Sequence, residues 1–175
     1  VGYMLDLDRG RIPTMEMFRI IIDVLAEADF DSFQPYLERA FAYAAHPEVW
    51  KGVDPVTPAE MKELDDYAWS KGVRLVPNQN SFGHLEKWFR HPEYLPLAEA
   101  PNGYRIESPR VSGSPHALAA SAPESLAFLG GLYDELLPNF RHAKTLNVGC
   151  DEVWDVFDAN CRSAARGRAV GPANV

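Results

Sequence analysis

The chain has 175 residues, 46% hydrophobic and 24% charged, which is ordinary for a globular protein and long enough for one sizeable core. Its formal net charge of −8 lacks the positive footprint that phosphate backbones or anionic membranes attract, so nucleic acid and membrane are set aside as partners, whereas a neutral carbohydrate meets no such objection. No apolar run approaches the ~20 residues of a membrane-spanning helix. Cys150 and Cys161 fit neither a disulfide scaffold, a zinc spacing nor a redox pair, and both read as free thiols with Cys150 buried. Val1 in place of a starting Met reads as the cut edge of a longer chain, and localisation is left open.

Tyr3-Met4-Leu5-Asp6-Leu7 predicts a first strand, and Pro13-Thr14 opens a helix over about Met15 to Ala28 with Met17, Ile20, Ile21, Val24 and Leu25 at helical spacing. Phe33 to Leu37 reads as a second strand, weakened by Pro35, which cannot donate to a ladder. A polar and aromatic loop covers 38–56. Thr57 then caps a second helix with Pro58 first and Glu60 third, a capping box, and Gly72 ends it. Val73 to Pro77 is the third strand. A short helical stretch near His84 to Arg90, a Pro/Gly/Ser-rich excursion from about His91 to Pro115 and a third helix over about Ala122 to Leu137 follow. The fourth strand, Thr145 to Gly149, runs to Asp151.

Short strands alternating with helices, with polar residues after each strand, predict a parallel α/β architecture whose ligands collect at the carboxyl ends of the strands. The preferred form is a (β/α)8 barrel of TIM type. A closed barrel takes roughly 200 residues or more, so only about the first four β–α units are expected: a partial catalytic barrel over 1–163, followed by an irregular or frayed tail over 164–175.

The adjacent acids Asp151 and Glu152 are the strongest functional signal. Consecutive residues of a strand face opposite ways, so the two can share a pocket only where the backbone turns, and Gly149 allows that bend. Trp154, two residues further on, suits the wall of a sugar-ring site. After the first strand, Arg9 in Asp8-Arg9-Gly10 offers a fork of donors to adjacent hydroxyls, with a structural salt bridge as the plainer reading. After the second, Glu38 stands among the aromatics Phe41, Tyr43 and Trp50, which suit either sugar stacking or a covered hydrophobic flank. After the third come the amides Asn78, Gln79 and Asn80, hard to place in a core because buried amides demand partners, and the step Gly83-His84. His84 beside a carboxylate such as Glu38 would form a charge network that tunes Glu152. His46, His84, Asp151 and Glu152 are metal-capable types, but their spacing matches no compact ligand motif, so neither metal nor cofactor is expected.

Together these segments resemble family 20 glycoside hydrolases, the β-N-acetylhexosaminidases. Leu5-Asp6-Leu7-Asp8-Arg9-Gly10 is similar to that family's first-strand segment, Val76-Pro77 with Phe82-Gly83-His84 to its third, and Gly149-Cys150-Asp151-Glu152 to its Gly-x-Asp-Glu signature, the most specific of the three. The resemblance covers about Gly2 to Asp155. It implies removal of terminal β-linked N-acetylglucosamine or N-acetylgalactosamine by substrate-assisted retaining catalysis. Glu152 would be the general acid/base, its proton held by the neighbouring anion, and Asp151 would orient the 2-acetamido group. Arg9 would bind sugar hydroxyls and His84 would support the acid, with Glu38 and Trp154 lining the substrate.

Where the family carries an acidic pattern after the third-strand Pro, this chain has amides, and the residues that complete the family's acetamido pocket come from later strands. Open barrel edges imply self-association. The alternatives are a catalytically inactive sugar-binding piece and a truncated structural fragment.

Overall fold

Parallel strand pairing across helical connections organises the described residues, 1–107 and 110–164 of this computed structural model. β1 (Gly2–Asp6) leads through α1 (Met15–Glu27) to β2 (Ser32–Leu37), which lies parallel to β1 in register from Gly2 opposite Ser32 to Asp6 opposite Tyr36. α1 begins where predicted, with Thr14 accepting from the Met17 N–H, but the buried face is Phe18, Ile22 and Leu25, whereas Met17, Ile20 and Val24 of the expected apolar stripe are exposed. The long loop contains one short helix that no periodicity announced, α2 (Pro47–Trp50). α3 (Pro58–Ser70) has both bonds of the Thr57/Glu60 capping box, and Gly72 at φ +81° follows it.

Of the predicted third strand, Val73 to Pro77, only β3 (Arg74–Leu75) is strand, beside Ser32 and Phe33; a second piece, β4 (Asn78–Gln79), follows beyond its predicted end, beside Tyr36 and Leu37. β2 is therefore central despite Pro35. The Phe33 and Leu37 carbonyls accept from Val76 and Asn80, so Pro35, midway between, faces the same side with no N–H to give. The ladder is interrupted there, at Val76-Pro77, and resumes one turn of the pleat later.

By compactness the chain divides into two units, Val1–Asn80 with Gly131–Val148, and Ser81–Gly130 with the residues from Gly149 onward. The first holds the sheet and a core of Leu7, Phe18, Ile22, Phe33, Leu37 and Met61. In the second, α4 (Glu86–Phe89) buries Trp88 edge-on against Tyr94 and Phe128, with ring centroids 5.3 and 5.1 Å away. The Pro/Gly/Ser-rich excursion contains an antiparallel pair, β5 (Tyr104–Glu107) and β6 (Arg110–Gly113). α5 (Pro123–Leu136) is the predicted third helix. No helix among the described residues is long and apolar enough to cross a membrane.

Three expectations need correction. The fourth strand is a single parallel bridge between Asn147 and Asn78, supported by Asn147 N–H donating to the Pro77 carbonyl at 2.9 Å. Cys150 is exposed, contrary to the burial that its apolar approach implied, and Cys161 is buried; Gly149 at φ +48° ends the extended run before Cys150. The amides Asn78, Gln79 and Asn80 are core after all, each at most 1% exposed. Their partners make burial tolerable: Gln79 accepts from the Tyr43 hydroxyl at 2.6 Å and donates to the Glu38 and Asn80 carbonyls, and Asn80 donates to the Tyr36 hydroxyl. Phe41 and Tyr43 likewise take the plainer of their two readings, fully buried with rings 4.9 Å apart. The predicted tail lies outside the described residues from 165 on.

Tyr43→Phe removes the donor that Gln79 relies on and should cost about 1–3 kcal/mol of stability. Urea unfolding of the variant beside the parent measures it, and an unchanged midpoint contradicts the role given to this bond.

Candidate active site

In the second unit the chain reverses twice against itself. Gly149 has φ +48°, Glu152 +51° and His84 +56°. For residues with side chains this left-handed region costs on the order of 1–3 kcal/mol each and persists only where the surroundings dictate it. The result is the arrangement that adjacent strand residues cannot reach: His84 Nε2 lies 3.6 Å from Asp151 Oδ2 and 3.3 Å from Glu152 Oε2. The histidine is 7% exposed, whereas the two carboxylate side chains keep 64% and 58% of their surface open. A buried ring thus presents one nitrogen to two acids that remain reachable from solvent. Gly83 allows the approach, since a Cβ there would stand 2.4 Å from the Asp151 carbonyl oxygen.

His116 supports this turn from behind. Its Nδ1 is 2.8 Å from Glu86 Oε1, its Nε2 is 2.8 Å from the Glu152 carbonyl oxygen, and its ring meets His84 edge-on at 4.8 Å. Burial opposes the charge on His116, yet the hydrogen bond and attraction of Glu86, with the Glu152 carbonyl and Asp155, raise its pKa above the ordinary value. Burial also opposes the charge on Glu86, and the bond to His116 overcomes it and lowers the pKa. His116 N–H donates to Asp155 Oδ2 at 2.9 Å. Burial pushes Asp155 upward against that bond, and its other oxygen is buried without a partner. Trp154 donates its N–H to the Glu152 carbonyl and opens a 3-10 turn to Phe157, with 36% of the indole residue exposed. Cys150 joins Phe82, Leu118, Leu126 and Leu129 around an apolar hollow of about 200 Å³.

In the first unit Arg9 takes the salt-bridge reading, with its guanidinium 2.5 Å from Asp6 Oδ2 and 3.0 Å from Glu38 Oε1. It lies over the Tyr36 ring at 5.3 Å, and about half of its side chain stays exposed. Glu38 is buried; it also accepts from the Tyr36 hydroxyl at 3.1 Å. Asp8 fixes the turn that carries Glu38 by accepting the backbone N–H groups of Glu38, Arg39 and Ala40.

Two groups among the described residues bring three metal-capable donors within 4.8 Å of one another: His84, Glu86 and His116, and Asp65, Asp66 and His142. In the first, both His116 nitrogens already face acceptors. In the second, Asp66 is paired with Arg141 and His142.

Asp8, Glu86, His116 and Asp155 are absent from the sequence-based site. Glu86 was legible as the acid two residues after His84, on the helix that the Gly-His step opens. His116 lies 32 residues beyond His84 in a segment without periodicity, and only tertiary contact reveals it.

A profile described as glycosyl hydrolase family 20, catalytic domain, matches residues 2–167. Human (Homo sapiens) hexosaminidase D is 28% identical over 117 residues, 67% of this chain and 22% of that protein; the Bos taurus protein is 27% identical over the same length, covering 67% and 31%. Among solved structures, Flavobacterium johnsoniae chitobiase superposes with a TM-score of 0.69 at 22% identity, over 87% of this chain and 23% of that one. A Vibrio harveyi exo-β-N-acetylglucosaminidase in complex with N-acetylglucosamine does so with 0.74 at 19%, over 99% and 30%. The chain therefore spans less than a third of each of these four relatives, and the fold it shares with the two structures is the TIM barrel, of which it holds a partial α/β segment. With the profile covering nearly all of its length, the chain belongs to glycosyl hydrolase family 20, within the catalytic domain.

Proposed function

We propose that this chain carries the acid-bearing part of a glycoside hydrolase that removes terminal β-linked N-acetylhexosamine with retention of configuration. The observation that carries the reading is the convergence of Asp151 and Glu152 on one buried histidine across a strained turn. Two carboxyl groups adjacent in sequence cannot flank a glycosidic bond from opposite faces, as a covalent two-carboxylate mechanism needs. They suit a reaction in which the substrate brings its own nucleophile. The 2-acetamido carbonyl oxygen attacks the anomeric carbon while the bond to the leaving oxygen breaks and Glu152 gives that oxygen its proton. Asp151 holds the acetamido N–H and balances the positive oxazolinium formed. Water then adds to the anomeric carbon, losing a proton to Glu152, and opens the ring to free N-acetylhexosamine.

His84 sits where it can hold the two acids apart and aimed. Arg9 offers its exposed guanidinium edge to sugar hydroxyls, and Glu38 acts through it, orienting the fork. Trp154, partly exposed just past the acids, supplies an aromatic face for a sugar ring. N-acetylglucosamine complexes among the structural relatives support an acetamido sugar as the ligand class.

Glu152→Gln in the intact protein should lower kcat on 4-nitrophenyl N-acetyl-β-D-glucosaminide by about 10²–10⁴-fold, the usual scale of general acid–base catalysis. Full activity in that variant removes the acid assignment, and calorimetric sugar binding by an inactive parent points to the binding-module reading. Gly83→Ala presses a methyl group onto the Asp151 carbonyl. It should cost about 1–3 kcal/mol in chemical unfolding together with a fall in kcat; wild-type values for both contradict the close approach.

A further inference from the structure

Glu152 occupies a backbone conformation that it would not choose alone, and so does His84. One side chain touches both. His116 Nε2 is 2.8 Å from the Glu152 carbonyl oxygen, receives the His84 backbone N–H at the longer distance of 3.3 Å, and would lie 3.4 Å from a Cβ at position 83. His116 is itself held at three points. Its Nδ1 meets Glu86, its N–H donates to Asp155, and its carbonyl accepts from Leu85 N–H at 3.0 Å. At 5% exposure it is anchored more firmly than the acid it contacts.

We propose that His116, fixed by Glu86, is a positioning residue for Glu152: its Nε2–H bond to the Glu152 carbonyl keeps the left-handed turn that aims the carboxyl group at His84. The role rests on Glu152 being the acid/base of the proposed hydrolase. The bond grips the backbone of Glu152 and leaves its carboxylate free for chemistry, so the contribution falls on geometry and not on charge. An imidazolium satisfies Glu86 through Nδ1–H and the Glu152 carbonyl, the shorter contact at Nε2, through Nε2–H; a neutral Nδ1–H ring keeps Glu86 and accepts from the His84 N–H at 3.3 Å but gives up the Glu152 carbonyl. The charged groups facing the ring are Glu86 from α4, Asp155 and Glu152 from the turn after Gly149, with His84 and Tyr104 as neighbouring rings.

The raised His116 pKa and lowered Glu86 pKa agree with this pairing. Stabilisation from His116 is complete below its ordinary value of 6.5 and fades as pH rises through the folded value. That from Glu86 is complete above its ordinary 4.5 and fades as pH falls through the folded value. The clasp is therefore whole in the mildly acidic window and is lost first on the alkaline side when Glu86 is neutralised.

The test is a substitution series in the intact protein, read on two aryl N-acetyl-β-D-glucosaminides. One has a poor leaving group that needs an acid, and one has a dinitrophenolate that departs without one. His116→Ala should lower kcat on the poor leaving group by about 10–100-fold, the scale of a small misplacement, with KM within about twofold and the dinitrophenyl substrate much less affected. His116→Gln, whose amide nitrogen reaches the place of Nε2, should recover most of the rate, and His116→Asn, which reaches only the place of Nδ1, should not. Glu86→Gln should bring the alkaline fall of kcat to lower pH. Circular dichroism accompanies each variant, and if His116→Ala does not fold, the Gln-against-Asn comparison decides. Equal losses on both substrates, or Gln and Asn behaving alike, overturn the positioning role while Glu152→Gln remains inactive. An intact parent without hydrolase activity, or an active Glu152→Gln, overturns the hydrolase reading itself.

Discussion

Left-handed backbone at two residues that carry side chains is the constraint on which the site depends. An extended chain through Asp151 and Glu152 would send the two acids to opposite faces. The reversal beginning at Gly149 and repeated at Glu152 brings both carboxylates to the Nε2 of His84, itself held at positive φ. Gly83 makes room by having no side chain, and the paired ring of His116 occupies the space behind. Such strain is stable only because the surrounding contacts are numerous and directional, and its concentration at the acids is what separates this Asp-Glu pair from two solvated surface charges.

The acids themselves stay open to solvent while their supports do not. Asp151 and Glu152 are more than half exposed, and His84, His116 and Asp155 are buried. Buried polar groups held by several bonds move little, and groups that must exchange protons with a substrate need access. Under the proposed reaction, burial falls on the residues that aim and exposure on the residues that react. Arg9 follows the same division within the first unit. Its guanidinium is half exposed, and the buried Glu38 and the Asp8-capped turn fix where it points.

Polar burial extends into the core of the first unit. Tyr36 with Asn80 and Tyr43 with Gln79 form bonded pairs among the buried apolar side chains of Leu37 and Phe41. Burial pushes the Tyr36 and Tyr43 hydroxyls well above their ordinary values, so they remain neutral and able to donate. Loss of one member leaves its buried partner unsatisfied, so such a network holds side-chain placement at the carboxyl end of a parallel sheet.

Local patterns determined much of this protein. The helical spacing from Met17 to Leu25, the Thr57-Pro58-Glu60 cap and the alternation of strand and helix marked α1, α3, α5 and the parallel sheet, because these depend on neighbours a few residues apart, although which face of α1 turns inward, Phe18 and Ile22 and not Met17 and Ile20, was left to the packing. The Gly-x-Asp-Glu segment and the Gly-His step marked the acids and His84 for the same reason: the turn that brings them together needs glycine nearby. Tertiary structure alone decided the rest. It split the third strand opposite Pro35, reduced the fourth to one bridge at Asn147, turned Cys150 outward and drew the amides of 78–80 into the core. It also brought His116 to Glu86 and Glu152. Each of these outcomes depends on a partner tens of residues away, and spacing along a chain carries no record of which distant group will satisfy a buried donor or hold a strained turn.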